Sequence, residues 1–281
     1  MKRAEQVILL AGLLGTIVLS GLAYEQVGAI FEFGSSARGL GLGGAFSALV
    51  DDEGAVAYNP AALGEYEGIA VTSMFVRQFG GVTYGTVGVV LPYFGINVLF
   101  LDSGFIPVGE SGFRYVNQGV IASVGIPVGP LGIGARWRLL RVSSPMEGHG
   151  WALDPAFIVA TGTVRAALVV EGAFSDAVSY ESGSEESWPT AVRLGVALTL
   201  SPSPEVSWNA SFEAIDLFMS SARLALGLEA WIGGLGARVG YDGEGPTFGL
   251  STRFERLQFD WAYAMRTDLG DSHRVSFTLR F

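Results

Sequence analysis

The chain has 281 residues, of which 49% are hydrophobic and 16% charged, with a mean hydropathy of +0.41, high for a soluble protein. Its formal net charge of −10 excludes a nucleic-acid-binding surface, which phosphate would repel, and the absence of cysteine excludes disulfides, thiolate nucleophiles and cysteine metal sites. Forty Gly beside 18 Phe fit a protein whose large apolar side chains face lipid while small residues crowd its interior.

At the N-terminus, Lys2 and Arg3 precede an apolar run, Val7–Leu19, and then the small residues Ser20-Gly21-Leu22-Ala23. This predicts a secretory signal peptide over 1–23, cleaved after Ala23. The apolar run is shorter than the ~20 residues of a spanning helix, so a retained anchor is the weaker alternative.

Residues 24–67 differ from everything after them. They lack two-residue alternation and are too few to bury a core of their own, which predicts a plug or hatch packed into whatever follows. Gly39, Gly41, Gly43 and Gly44 form a G-x-G-x-G-G run. A dinucleotide loop requires G-x-G-x-x-G between a strand and a helix, so a bend allowing positive φ and close backbone approach is the better reading. In Asn59-Pro60-Ala61, proline fixes its own φ and biases Asn59 towards extended backbone, and the Asn side chain can tie off a turn. A gate element and a plug-anchoring turn both remain open for this motif.

From residue 68 to 281 the apolar residues alternate with a period of two. Val275, Phe277, Leu279 and Phe281 share one face, and Arg274, Ser276, Thr278 and Arg280 the other. Leu194, Val196 and Leu198 alternate with Gly195 and Ala197 in the same way. The segments run to about ten residues, the length of a tilted transmembrane strand. A soluble sandwich also alternates, but its polar face would be rich in Lys and Glu rather than Gly, Ala, Ser and single charges. The expected fold is an all-β transmembrane antiparallel barrel of about fourteen strands.

Alternate connections are short, as at Pro92-Tyr93, Thr161-Gly162, Ile232-Gly233 and Glu255-Arg256. The long ones, Asp102–Gly112, Ser143–Gly150 and Phe174–Trp188, all fall in the other set. Bacterial barrels put short turns in the periplasm and longer loops outside, which predicts an outer-membrane protein with both termini periplasmic. The outward connections carry acidic residues such as Asp102, Glu147, Asp176, Glu181, Glu185 and Glu186, so most of the net negative charge is expected on one rim. Solvation explains these better than a cation site, because no D-x-D-x-D-G spacing occurs.

Arg136, Arg138, Arg193, Arg238, Arg253, Arg274 and Arg280 are predicted to face the lumen. Asp154, Glu171, Glu213, Glu229 and Asp260 are their candidate partners, with ion pairs that fix the plug expected over a lined water path. Trp137, Trp208, Trp261, Tyr241 and Tyr263 are expected on the lipid side. His149 and His273 have no metal-ligand spacing, and Ser272 points away from the adjacent His273. No enzyme activity, metal or cofactor is expected.

The run Ser36–Gly64 resembles the N-terminal hatch of FadL-like outer-membrane proteins, with PorV/PorQ-type barrels the nearest subgroup, and Asn59-Pro60-Ala61 is similar to the NPA motif of that superfamily. Leu269–Phe281 resembles the group's last strand, and Phe277, Leu279 and Phe281 resemble the signal read by the barrel-assembly machinery. The resemblance extends more weakly over Trp188–Leu200 and Leu224–Tyr241. It implies a hatch-bearing barrel held in outer-membrane lipid. Some relatives pass hydrophobic compounds inward, whereas PorV-type relatives serve protein secretion by binding cargo or partners. The external loops here reach only about fifteen residues, leaving little material for a loop-built long-chain fatty-acid capture site. Handling a hydrophobic small molecule is therefore the leading expectation. The alternative is a non-conducting secretion or envelope scaffold that binds a protein.

Overall fold

The structure, a computed structural model, describes residues 28–78, 81–108, 111–144, 146–265 and 271–281. The expected signal peptide over 1–23, residues 24–27 and the pair Leu269-Gly270 lie outside these.

The chain forms one antiparallel sheet. Its first seven strands are β1 (Ala70–Gln78), β2 (Val82–Leu91), β3 (Phe94–Val108), β4 (Ser111–Val128), β5 (Leu131–Ser144), β6 (Gly148–Thr161) and β7 (Val164–Glu171). A short hairpin, β8 (Phe174–Tyr180) and β9 (Glu185–Glu186), follows. The circuit then resumes with β10 (Ala191–Ser203), β11 (Val206–Leu217), β12 (Arg223–Ile232), β13 (Leu235–Tyr241), β14 (Pro246–Phe254), β15 (Leu257–Ala264) and β16 (Ser272–Arg280). β1 pairs with β2 and β16, β5 with β6, and β7 with β10, so the sheet closes as a fourteen-stranded barrel, with β8–β9 an addition on β6.

The period-two alternation sets which side chains leave the barrel. On β12, Leu224, Leu226 and Leu228 are 51–58% exposed, while Ala225, Gly227 and Glu229 between them are buried. Phe277 and Leu279 on β16 point outward like them, as do Trp137, Trp208 and Tyr241. A belt of this extent is incompatible with water but matches a bilayer, and closure leaves the wall no unpaired edge. No described helix is long and apolar enough to cross a membrane. This barrel crosses with strands.

One end, the turn rim, has two-residue connections at 92–93, 129–130, 162–163, 204–205, 233–234 and 255–256, together with the start of β1 and Phe281. The other end, the loop rim, departs from expectation. β3 and β4 continue to Val108 and Ser111, β5 and β6 reach Ser144 and Gly148, and 174–180 is strand rather than loop. Ladder hydrogen bonds satisfy the backbone whatever the side chains are, so hairpins outrun the apolar band from which the strand limits were read.

Residues 28–66 pack inside the barrel as three short α-helices, α1 (Ala29–Glu32), α2 (Ala37–Gly41) and α3 (Ala55–Tyr58), and a 3-10 turn, Pro60–Glu65. Ile30, Leu42, Phe46, Leu49, Val56 and Leu63 are fully buried against inward wall residues such as Leu99, Ile121 and Ile158. The wall approaches this inner segment backbone to backbone. A Cβ at Gly134 would collide with the Ala61 amide, and one at Gly125 with the Pro60 carbonyl, which explains why the lumen is rich in glycine.

Candidate functional site at the inner segment and barrel wall

Asn59 is fully buried at the start of the 3-10 turn, where its Oδ1 accepts from the Ala61 amide at 3.0 Å. Its Nδ2 donates to the Ser47 carbonyl at 2.9 Å and to the Phe157 carbonyl on β6 at 3.4 Å. Pro60 and Ala61 then lie against the glycines of β4 and β5. The motif thus caps its own turn, ties two parts of the inner segment together and docks them on the wall.

Beside it the wall ladder is interrupted. β6 pairs with β7 as far as Ala156–Val169 and resumes with β8 at Leu153–Phe174. Asp154 and Pro155 therefore face residues 170–173 without ladder pairing. Pro155 has no N–H to give, and Gly172 takes a φ of 63°, so a double bulge forms. Side chains close the gap instead. The fully buried Asp154 accepts from the Gly172 amide at 2.6 Å, Arg136 Nε at 2.7 Å and Arg138 Nη2 at 2.9 Å, and pairs in charge with Arg138 Nε at 2.8 Å. Arg136 also reaches Glu171 at 2.8 Å and the Ala57 carbonyl. The Arg138 guanidinium lies 5.0 Å from the Trp188 ring and 5.5 Å from Phe31.

A second charge cluster holds α2. Arg38, 3% exposed, donates to Glu229 at 2.8 and 2.6 Å, to Asp52 at 2.8 Å and to Asp51. Glu229 also accepts from Arg238 at 2.9 Å and Asn209 at 3.0 Å, and Arg238 lies 3.6 Å from Asp260. Burial opposes the charge on Arg38, but Asp51, Glu229 and Asp52 outweigh it and hold the guanidinium well above its ordinary pKa. Between the clusters, Glu213 binds the Ser47 amide at 2.8 Å and Arg193 at 2.7 Å, while Arg193 reaches the Gly44 carbonyl at 3.1 Å. Arg280 grips Glu53 near the turn rim at 2.7 and 2.8 Å.

Arg136, Arg138, Asp154, Arg193, Glu213, Glu229, Arg238 and Asp260 are thus brought together as pairs within the lumen, most of them touching the inner segment. Gly43 and Gly44 take φ of 68° and 81°, as expected of a bend. Gly39 and Gly41 instead lie in α2, where a Cβ would strike the Tyr58 ring and the Arg238 side chain. Their requirement is close packing, because a helical φ already suits any residue.

Three features escaped the sequence reading. Arg38 is the anchor of α2, and its signal was a lone charge inside a glycine-rich run. Asp51-Asp52-Glu53 supplies its partners and that of Arg280. Trp188, expected at the end of an external loop, is 6% exposed and packs on Phe31 with ring centroids 5.9 Å apart. Near the loop rim, Glu32 borders a water-sized cavity of about 30 Å³ with Arg138, Glu171, Trp188 and Asp216. Burial, and then the Asp216 carboxylate, push the Glu32 carboxyl up to about 7.

No protein-family model and no curated protein matches this sequence. Solved structures do. The CymD monoaromatic hydrocarbon channel superposes with a TM-score of 0.60 at 14% identity, covering 88% of this chain and 98% of that one. The toluene transporter TodX of P. putida gives 0.56 at 12% identity, over 88% and 99%. A FadL homologue from Pseudomonas aeruginosa gives 0.52 at 10% identity, over 88% and 98%. This chain shares their fold.

Proposed function

We propose that this chain is an outer-membrane barrel that passes a hydrophobic small molecule, with the inner segment as its hatch and the β6/β7–β8 interruption as a side route to the bilayer. The carrying observation is that interruption. It is the place where side chains rather than ladder hydrogen bonds close the wall, and it lies next to the hatch-docking motif. Phe174, 62% exposed, and the half-buried Leu153, Pro155 and Val170 flank it. Phe31 and Trp188 line the interior close by, so an apolar molecule could move between lumen and lipid without meeting water. The shared fold with channels named for toluene and monoaromatic hydrocarbons supports the reading. It is tested by mass spectrometry of small molecules and proteins co-extracted with the barrel from outer membranes. A recurring apolar compound, lost from an Asn59→Ala variant, is expected. Retention of no compound by the wild type would overturn the reading.

A second reading rests on a different observation. The β3–β4 hairpin extends past the end of β2 and exposes Phe105 (70%), Ile106 and Phe113, and the β11–β12 connection exposes Phe218 (81%). Exposed apolar groups at the loop rim suit a protein partner, as a PorV-like scaffold would need. A stoichiometric co-extracted protein without any small molecule is the outcome that favours it.

A further inference from the structure

The lipid-facing wall is not evenly filled. Across β11–β15 one row of outward residues runs Trp208, Ala230, Ala237, Leu250, Trp261, each directly opposite the next on the neighbouring strand. The adjacent row carries Leu228, Val239 and Phe248, and the row towards the turn rim carries Ile232 and Leu235, which are 61% and 66% exposed. Two neighbouring alanines therefore stand where the surrounding rows carry large side chains. The result is a groove of about 620 Å³ on the outer surface, floored by Ala230 and Ala237 and walled by Trp208 and Trp261. The Trp261 wall is braced by Tyr263, which stacks on it at 6.3 Å and 9° and lies 6.5 Å from Phe248.

The sheet cannot relax into this groove, because its five strands are held by continuous ladders. An unfilled space of that size would forfeit the dispersion contacts of every side chain around it. The outward side chains lining it are all apolar, so a headgroup or water-soluble ligand finds no polar counterpart there. Its floor lies two residues from Ile232 and Leu235, which flank the 233–234 turn. At ~3.3 Å per residue this depth corresponds to the acyl region of the turn-side leaflet.

We propose that this groove is a lipid site, taking one acyl chain from the turn-side leaflet and holding that lipid against the barrel. A flexible chain fills a ring-walled trough that a flat protein surface would bridge and leave empty.

The test is native mass spectrometry of the full chain released from vesicles of palmitoyl-oleoyl phosphatidylethanolamine and phosphatidylglycerol. The wild type should emerge carrying a lipid that the Ala230→Phe/Ala237→Phe variant loses. Leu226→Phe, on the same outward face beyond the groove, should keep it. Ala237→Leu provides a milder filling change should the double variant assemble poorly, and it should lose the lipid as well. Chain-brominated lipids should quench tryptophan fluorescence less in the filled variants, because the walls then lose their lipid contact. Equal lipid retention by wild-type and filled barrels would overturn the proposal. So would a wild-type dimer that the filling variants dissociate, since a second copy would then be the occupant.

Discussion

Asp154→Ala tests whether side chains hold the wall shut at the β6/β7–β8 interruption. The substitution leaves the Gly172 amide without an acceptor and deprives Arg138 of the carboxylate it hydrogen-bonds, leaving the guanidinium the faces of Trp188 and Phe31 and the nearby Glu171 and Glu32 carboxyls across a small cavity. Arg136 keeps Glu171 and the Ala57 carbonyl. Removing one partner of a buried ion pair costs ~3–5 kcal/mol, and an orphaned buried amide ~1–3 kcal/mol. The retained partners of Arg136 place the total at the lower end, about 4 kcal/mol. Asp154→Asn keeps one acceptor for Gly172 while giving up the charge and the second acceptor, so its loss should be the smaller of the two. Denaturant unfolding of the barrel in vesicles, followed by tryptophan fluorescence, measures both. An Asp154→Ala barrel within ~0.5 kcal/mol of wild type would refute the idea that this carboxylate closes the wall.

Leu194→Arg puts a charge on the outward face and should destabilise the barrel by ~2–4 kcal/mol at mid-bilayer depth, read from the same unfolding curves. Gly134→Ala acts from inside, because its Cβ meets the Ala61 backbone, and should undock the inner segment, seen as faster protease cleavage within residues 28–66. Asn59→Ala removes the cap of the 3-10 turn and orphans the buried Ser47 carbonyl, and should cost roughly 2–4 kcal/mol, measured by the same denaturation. Glu32 has its folded-state pKa raised to about 7 from an ordinary 4.5, so the folded chain holds this proton more tightly than the unfolded one. Stability should therefore fall as pH rises from 4.5 to about 7 and level off above, and a Glu32→Gln melting profile should lack that fall.

The barrel was legible because its information is local. Leu224, Leu226 and Leu228 alternate with Ala225, Gly227 and Glu229 whatever the rest of the chain does, and each short turn announces itself between two such runs. The strand ends at the loop rim were not legible, since β3 and β4 continue as a ladder beyond the lipid-facing alternation. The set of interior charges was readable from strand phase, but the pairing was not. Arg38 and Glu229 are 191 positions apart, and no periodicity links a glycine-rich bend to one carboxylate on a distant strand. Trp188 was misplaced for a related reason. Its inward packing rests on Phe31 and Arg138, and the neighbouring Thr190 hydroxyl donates to the Gly172 carbonyl, contacts that no local pattern announces.

Passage of a hydrophobic molecule by way of the proposed hatch requires the inner segment to move. The absence of native cysteine permits a direct test. A Cβ at Gly195 would lie 3.2 Å from the Ala48 Cβ, within a few tenths of the ~3.5–4.5 Å spanned by a disulfide, and the Ser47 hydroxyl, which makes no hydrogen bond, has to shift from its 2.5 Å approach. Cells carrying Ala48→Cys/Gly195→Cys barrels should take up the labelled apolar compound recovered by co-extraction only after reduction, while either single-cysteine variant takes it up under both conditions. Equal uptake by the oxidised and reduced double variant would contradict the account.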